Sequence, residues 1–171
     1  MQWVIGAVVV LLVLAGVILL TGFLLPVKHC ASVSRHLGVD SGRVWALIND
    51  FAAYPAWRST IKSVEPLPEV DGRARWRERD ARGEAIAYVT VETVPGQRLV
   101  RAIENRDLPY GGRWTYVLAT TDGGCTLTIT EDGEVYNPVF RFVSHFIIGH
   151  KTCIEDYLAD VAAQLTPRPA Q

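Results

Sequence analysis

The sequence predicts an α+β domain, with helices on one face of an antiparallel sheet, joined to a single apolar helix at the N-terminus. Three observations lead there. Val4 to Leu25 is an uncharged apolar run. A series of short strands fills the middle of the chain, separated by turn residues. A long amphipathic stretch follows them, opened by Asn137-Pro138.

At about 1.5 Å per residue the N-terminal run reaches roughly 33 Å, enough to cross a hydrocarbon core of about 30 Å. Thr21 is the one hydroxyl in it. A cleaved signal peptide would carry basic residues ahead of a shorter apolar core and end in a small-x-small site. Met1-Gln2-Trp3 and Pro26-Val27-Lys28-His29 supply neither. Residues 1–27 therefore read as a retained single-pass anchor in the cell membrane, and 28–31 as a juxtamembrane linker. Lys28, Arg35 and Arg43 follow the helix and no basic residue precedes it, which places the rest of the chain in the cytoplasm by the positive-inside rule. Cys30, Cys125 and Cys153 are odd in number and show no framework spacing, as expected of reduced thiols.

The remainder suits one domain with a single core. The whole chain carries 17 basic and 18 acidic residues. Arg73, Arg75, Arg77, Arg79 and Arg82 alternate with Glu78, Asp80 and Glu84, which reads as a solvated strand face. A nucleic-acid surface would carry net positive charge.

Residues 32–39 read as a first strand. Asp40 or Ser41 then caps a helix that buries Val44, Trp45, Leu47 and Ile48. Tyr54-Pro55-Ala56-Trp57 starts a second short helix, with proline in its first turn. Strands fit 61–67, 73–80, 84–94, 97–105, 112–121 and 125–135. Asp71-Gly72, Arg82-Gly83, Pro95-Gly96, Gly111-Gly112 and Asp122-Gly123-Gly124 separate them. Connections this short favour antiparallel neighbours. After Asn137 caps it, one continuous helix is expected to lay Val139, Val143, Phe146, Ile154, Tyr157 and Val161 on the sheet. Residues 166–171 read as a disordered tail.

Three stretches, taken in order, carry a family resemblance. They are Ser41–Trp57 (SGRVWALINDFAAYPAW), Val91–Val100 (VETVPGQRLV), and Gly112–Leu118 (GRWTYVL) followed by Gly124–Glu131 (GCTLTITE). The region 32–165 resembles the START-like superfamily, the polyketide cyclase/dehydrase and lipid-transport (SRPBCC) proteins. That resemblance implies a helix-grip fold, in which a curved antiparallel sheet of about seven strands wraps the C-terminal helix. It also implies an apolar ligand held between the two. The family has no universal catalytic motif to carry over.

The cavity candidates are Trp57, Trp76, Tyr88, Arg101, Trp114, Tyr116, Glu131, Phe146 and His150. Tyr and Trp add a hydrogen-bonding tip to an apolar wall. His150 falls on the apolar stripe between Phe146 and Ile154. Glu131 shares the parity of Leu127 and Ile129, where it could meet His150 or Arg101. Strand parity between 84 and 105 is open, which leaves Tyr88, Glu92 and Arg101 provisional. His29, Cys30 and His36 read as spacer. No zinc-binding spacing, phosphate loop, dinucleotide fingerprint or serine elbow is present, so no metal or cofactor is expected.

The expected function is a membrane-anchored, non-catalytic binding protein for a lipid or other apolar small molecule. Two alternatives stand beside it. One is a cyclase/dehydratase-type enzyme with His150 and Glu131 as acid/base partners. The other is a module that binds a protein partner at the membrane.

Overall fold

The computed structural model describes residues 1–166; the expected tail, apart from Thr166, lies outside the described residues. The chain begins with helix α1 (Gln2–Leu24), which is long and apolar enough to cross a membrane and has no charged side chain. Strand β1 follows at once (Lys28–Leu37). The expected linker 28–31 is therefore the first part of a strand. Its residues pair with β7 from Lys28 opposite Glu134 onward, which leaves only Leu25, Pro26 and Val27 between α1 and the sheet.

Helix α2 (Ser41–Asn49) starts where Asp40 accepts a hydrogen bond from the Gly42 amide at 2.8 Å. A short 3-10 turn and helix α3 (Tyr54–Trp57) complete the pair. Six further strands then run β2 (Ile61–Val70), β3 (Arg73–Asp80), β4 (Ala85–Val94), β5 (Arg98–Ile103), β6 (Tyr110–Thr121) and β7 (Gly124–Val135). Every neighbouring pair is antiparallel, in the order β1-β7-β6-β5-β4-β3-β2. The prolines Pro66 and Pro68 are tolerated because β2 is an edge strand. Gly111 and Gly112 lie inside β6 rather than in a turn, with the Gly112 backbone against that of Asp132.

Alternation along β7 separates the two faces of the sheet. Cys125, Leu127 and Ile129 are buried under the helices, whereas Thr128 and Thr130 pair on the other face with Ser34 (2.8 Å) and Ser32 (2.9 Å) of β1.

The C-terminal segment departs from expectation. It is two helices: α4 (Pro138–Val143), capped by Asn137, and α5 (Thr152–Leu165). A π-turn over Ser144–Ile148 ends on Gly149 at φ 82°, ψ 141°, a conformation that other residues rarely adopt. Only α5 lies on the sheet, through Ile154, Tyr157, Leu158, Val161 and Leu165. Phe146 does not face the interior; it is more than half exposed.

Candidate functional site

The sheet register resolves the open parity. Residues paired across an antiparallel sheet share a face, so Arg101, Trp114, Glu131 and Ala31 form one inward row across β5, β6, β7 and β1. Trp76 pairs with Tyr88, and Tyr116 with Leu99 and Ile129, on the same face. Trp76, Tyr88, Arg101, Trp114, Tyr116 and Glu131 thus line one side of the domain. Glu92 does not join them; it is exposed and pairs with the half-buried Arg98 at 3.1 Å.

Arg101 is the centre of the row. Its guanidinium is 4% exposed and is ringed by Tyr54, Trp76, Tyr88, Tyr116 and Tyr157, with the Tyr116 centroid at 4.5 Å. Contacts of this kind stabilise a desolvated cation. Nη1 donates to the Tyr54 hydroxyl (2.9 Å), which itself donates to the Ile48 carbonyl (2.6 Å). The counter-charge is Glu78: its Oε2 meets Arg58 at 2.7 Å, and its Oε1 lies 3.6 Å from Arg101 and accepts from the Trp76 indole at 3.0 Å. Burial works against the charge on Arg101, but the Tyr54 and Tyr157 hydroxyls and Glu78 outweigh it and raise its pKa. Burial also raises the pKa of Tyr54, Tyr88 and Tyr157, so all three remain neutral hydroxyls.

Two arginines against one carboxylate leave this cluster one positive charge in excess. Three of its buried polar atoms have no hydrogen-bond partner among the described residues: Arg101 Nε, the Tyr116 hydroxyl and the Trp57 indole nitrogen. Each such group costs about 1–3 kcal/mol when left unpaired. An oxygen-bearing ligand group, or an ordered water, would relieve that cost.

A second cluster lies at the β1 edge. His29 lies over Gly133, where the absent side chain gives its ring room. His150 stacks on His29 with centroids 3.8 Å apart, and His145 lies 6.1 Å from His150. Glu131 meets His29 at 3.8 Å, too long for a hydrogen bond. The expected partnerships of Glu131 with His150 and Arg101 are therefore replaced by one with His29, a residue read from sequence as spacer. Burial, and then the neighbouring imidazole, lower the pKa of His29 and His150. Burial raises that of Glu131, partly offset by the Trp114 indole. Trp114 links the two clusters: it pairs with Glu131 across β6 and β7 and lies 6.2 Å from Tyr116 and 6.0 Å from Tyr157.

The space between sheet and α5 is filled by aromatic rings. Tyr157 packs edge-on to Tyr54, Trp57 and Trp114. Open clefts occur elsewhere, one of ≈ 480 Å³ lined by Glu104, Asn105, Arg106 and Tyr136. Among the described residues no group of three His, Cys, Asp or Glu side chains is arranged to hold a metal ion.

Residues 28–165 match the family described as polyketide cyclase/dehydrase and lipid transport. The chain belongs to that family. Solved structures agree on the fold. A START superfamily protein from Mycobacterium smegmatis is 16% identical, with a TM-score of 0.62 over 80% of this chain and 97% of that one. Protein CV1439 from Chromobacterium violaceum is 22% identical, with a TM-score of 0.58 over 81% and 98%. The Zhui aromatase/cyclase from Streptomyces sp. R1128 is 13% identical, with a TM-score of 0.63 over 80% and 93%. No curated protein matches the chain in sequence. Likeness at these identities establishes the helix-grip fold alone, so activity within this family has to be argued from the site.

What sequence reasoning missed in the site was Glu78, Arg58, Tyr54, Tyr157 and His29. Glu78 had a signal: it falls in a strand at the parity of Trp76, which marks it as inward. The arginine run around it pointed the other way.

Proposed function

We propose that this protein is a membrane-anchored binding domain for a lipid or other apolar small molecule that carries an oxygen-rich end. The observation that supports it is the pair of unpartnered buried groups on Arg101 and Tyr116, in a cluster with excess positive charge. The apolar body of the ligand would displace the Tyr157 and Trp57 rings that now close the interior. α1 supports the anchoring, since it suits a bilayer in length and composition. The soluble part is assigned to the cytoplasm on the basic residues that follow α1.

The test is native mass spectrometry of the full chain released from nanodiscs after exposure to a membrane lipid extract. Wild type is expected to carry a bound species that Tyr116→Phe and Arg101→Met lose. Tyr116→Phe keeps the ring and cannot act through misfolding of a cavity. Apo masses for wild type as well as both variants would overturn the reading.

A second reading has its own observation. The aromatic filling of the interior favours a domain that is packed throughout and works by binding a protein partner. It predicts no bound species under any of these conditions. A catalytic version would use Glu131 with His29, the imidazole beside it, and requires both at one ligand atom.

A further inference from the structure

Residues Pro138–Ile148 read PVFRFVSHFII, with one permanent charge in eleven positions. That charge, Arg141, is turned inward. Its Nη1 donates to the Leu25 carbonyl at 2.8 Å and Nη2 to the Tyr136 carbonyl at 3.3 Å. Val139, Phe140, Phe146, Ile147 and Ile148 are left facing outward, Ile147 at 71% exposure. Five apolar side chains of this size left exposed together form a surface that water does not suit.

The element beside α4 is α1. The Pro138 carbonyl occupies the place a side chain on Gly22 would take, so the two backbones touch. The Val135 amide bonds to the Val27 carbonyl at 2.9 Å. Anchor and α4 are thus joined at two points, Gly22 to Pro138 and Leu25 to Arg141, and the connection between anchor and sheet is tied to β7 at a third. Phe23 and Leu24 in the last turn of α1 also face outward, on the helix that packs against α4. Lys28, the first residue of β1, follows α1, and Lys151, the N-cap of α5, follows Pro138–Ile148; Lys28 also lies 3.6 Å from Glu134.

We propose that Pro138–Ile148 is a second membrane contact: an interfacial segment seated in the bilayer beside the anchor, with Phe140, Phe146 and Ile147 among the acyl chains and Lys28 and Lys151 at the phosphates. An apolar face flanked by basic residues binds a bilayer surface in this way. The inference rests on α1 being a span, because it is continuity with that span that selects lipid over a second copy of the chain. It fixes the domain against the membrane instead of leaving it on a swivel. The β1 edge, with His29 and His150, then lies at the membrane surface.

The experiment uses the full chain with Cys30→Ser and Cys153→Ser, the buried Cys125 being retained. Phe23→Cys, Ile147→Cys and Asp122→Cys each carry a nitroxide in nanodiscs of phosphatidylcholine and phosphatidylglycerol. Power saturation is read with oxygen, which collects in lipid, and with a water-soluble nickel chelate. The ratio at Ile147 is expected to match Phe23 and to stand well above Asp122, in the β6–β7 turn. An Ile147 label as nickel-accessible as Asp122, with Phe23 in lipid, overturns the inference and leaves the anchor standing. Labels at both Phe23 and Ile147 in water overturn the anchor and the inference with it. An Ile147 label shielded from both reagents, with dipolar broadening, means that a second copy covers the segment, and also overturns it.

Discussion

The two halves of the C-terminal segment are alike in apolar content and opposite in environment. In α5, Ile154, Tyr157, Leu158 and Val161 are sealed against the sheet, while Phe146, Ile147 and Ile148, just before it, face outward. A 3.6-residue period says that one side of a helix is to be covered, without saying by what. Gly149 decides it. At φ 82° it turns the chain, so the stripe that would have run unbroken along the sheet is split between the protein interior and the surface.

The sharpest way to break this contrast lies under α5. Replacing Glu78 by Gln leaves Arg58 and Arg101 without their carboxylate and is expected to cost about 3–5 kcal/mol in denaturant unfolding of the detergent-solubilised chain. A smaller loss would mean that the aromatic cage alone holds Arg101. Next comes a matched truncation. Leu158→Ala should cost about 2–5 kcal/mol, whereas Ile147→Ala should stay within about 0.5 kcal/mol in detergent. Equal effects would show that the two halves are covered alike. Gly149→Ala is expected to cost about 1–3 kcal/mol, since its φ and ψ are nearly closed to a residue with a side chain. A stabilised variant with greater helicity would indicate that the break is not intrinsic to the fold.

The smallest effect is pH dependence at the β1 edge. His29 and His150 have lowered pKa values in the folded state, so the unfolded chain takes up protons first as pH falls below about 6.5. Their contribution to stability is present at neutral pH and declines as pH drops through that range. Glu131 has a raised pKa and acts oppositely, gaining stability as it becomes protonated at lower pH. Thermal melts between pH 7.5 and 5.5 should show a fall in Tm that the double variant His29→Phe, His150→Phe flattens. An unchanged slope in that variant would remove the histidine pair from the account.

The sequence made the sheet legible because alternation and glycine turns act locally. Cys125, Leu127 and Ile129 announce their face without any tertiary information. The inward aromatics Trp76, Trp114 and Tyr116 were legible for the same reason. Arg101 was legible only provisionally, because the bulge between Thr90 and Glu92 shifts the β4–β5 register. The remainder was non-local. Tyr157 reaches Tyr54 across most of the domain, and His29 reaches His150 because β1 and β7 pair, which no residue spacing reveals. Gly149 carried a usable sign, a glycine inside a helical pattern, that the strength of the surrounding apolar period outweighed.

The central claim is that the Tyr116 hydroxyl and Arg101 belong to a ligand, and the most direct measurement is the stability of Tyr116→Phe against wild type in two preparations. One is stripped of small molecules and the other is loaded from a membrane lipid extract. In the stripped form the variant is expected to match or exceed wild type, because an unpaired buried hydroxyl has been removed. In the loaded form wild type should gain stability that the variant does not, as binding to the folded state requires. An equal loss in both preparations would contradict the account, since the hydroxyl would then have its partner within the protein.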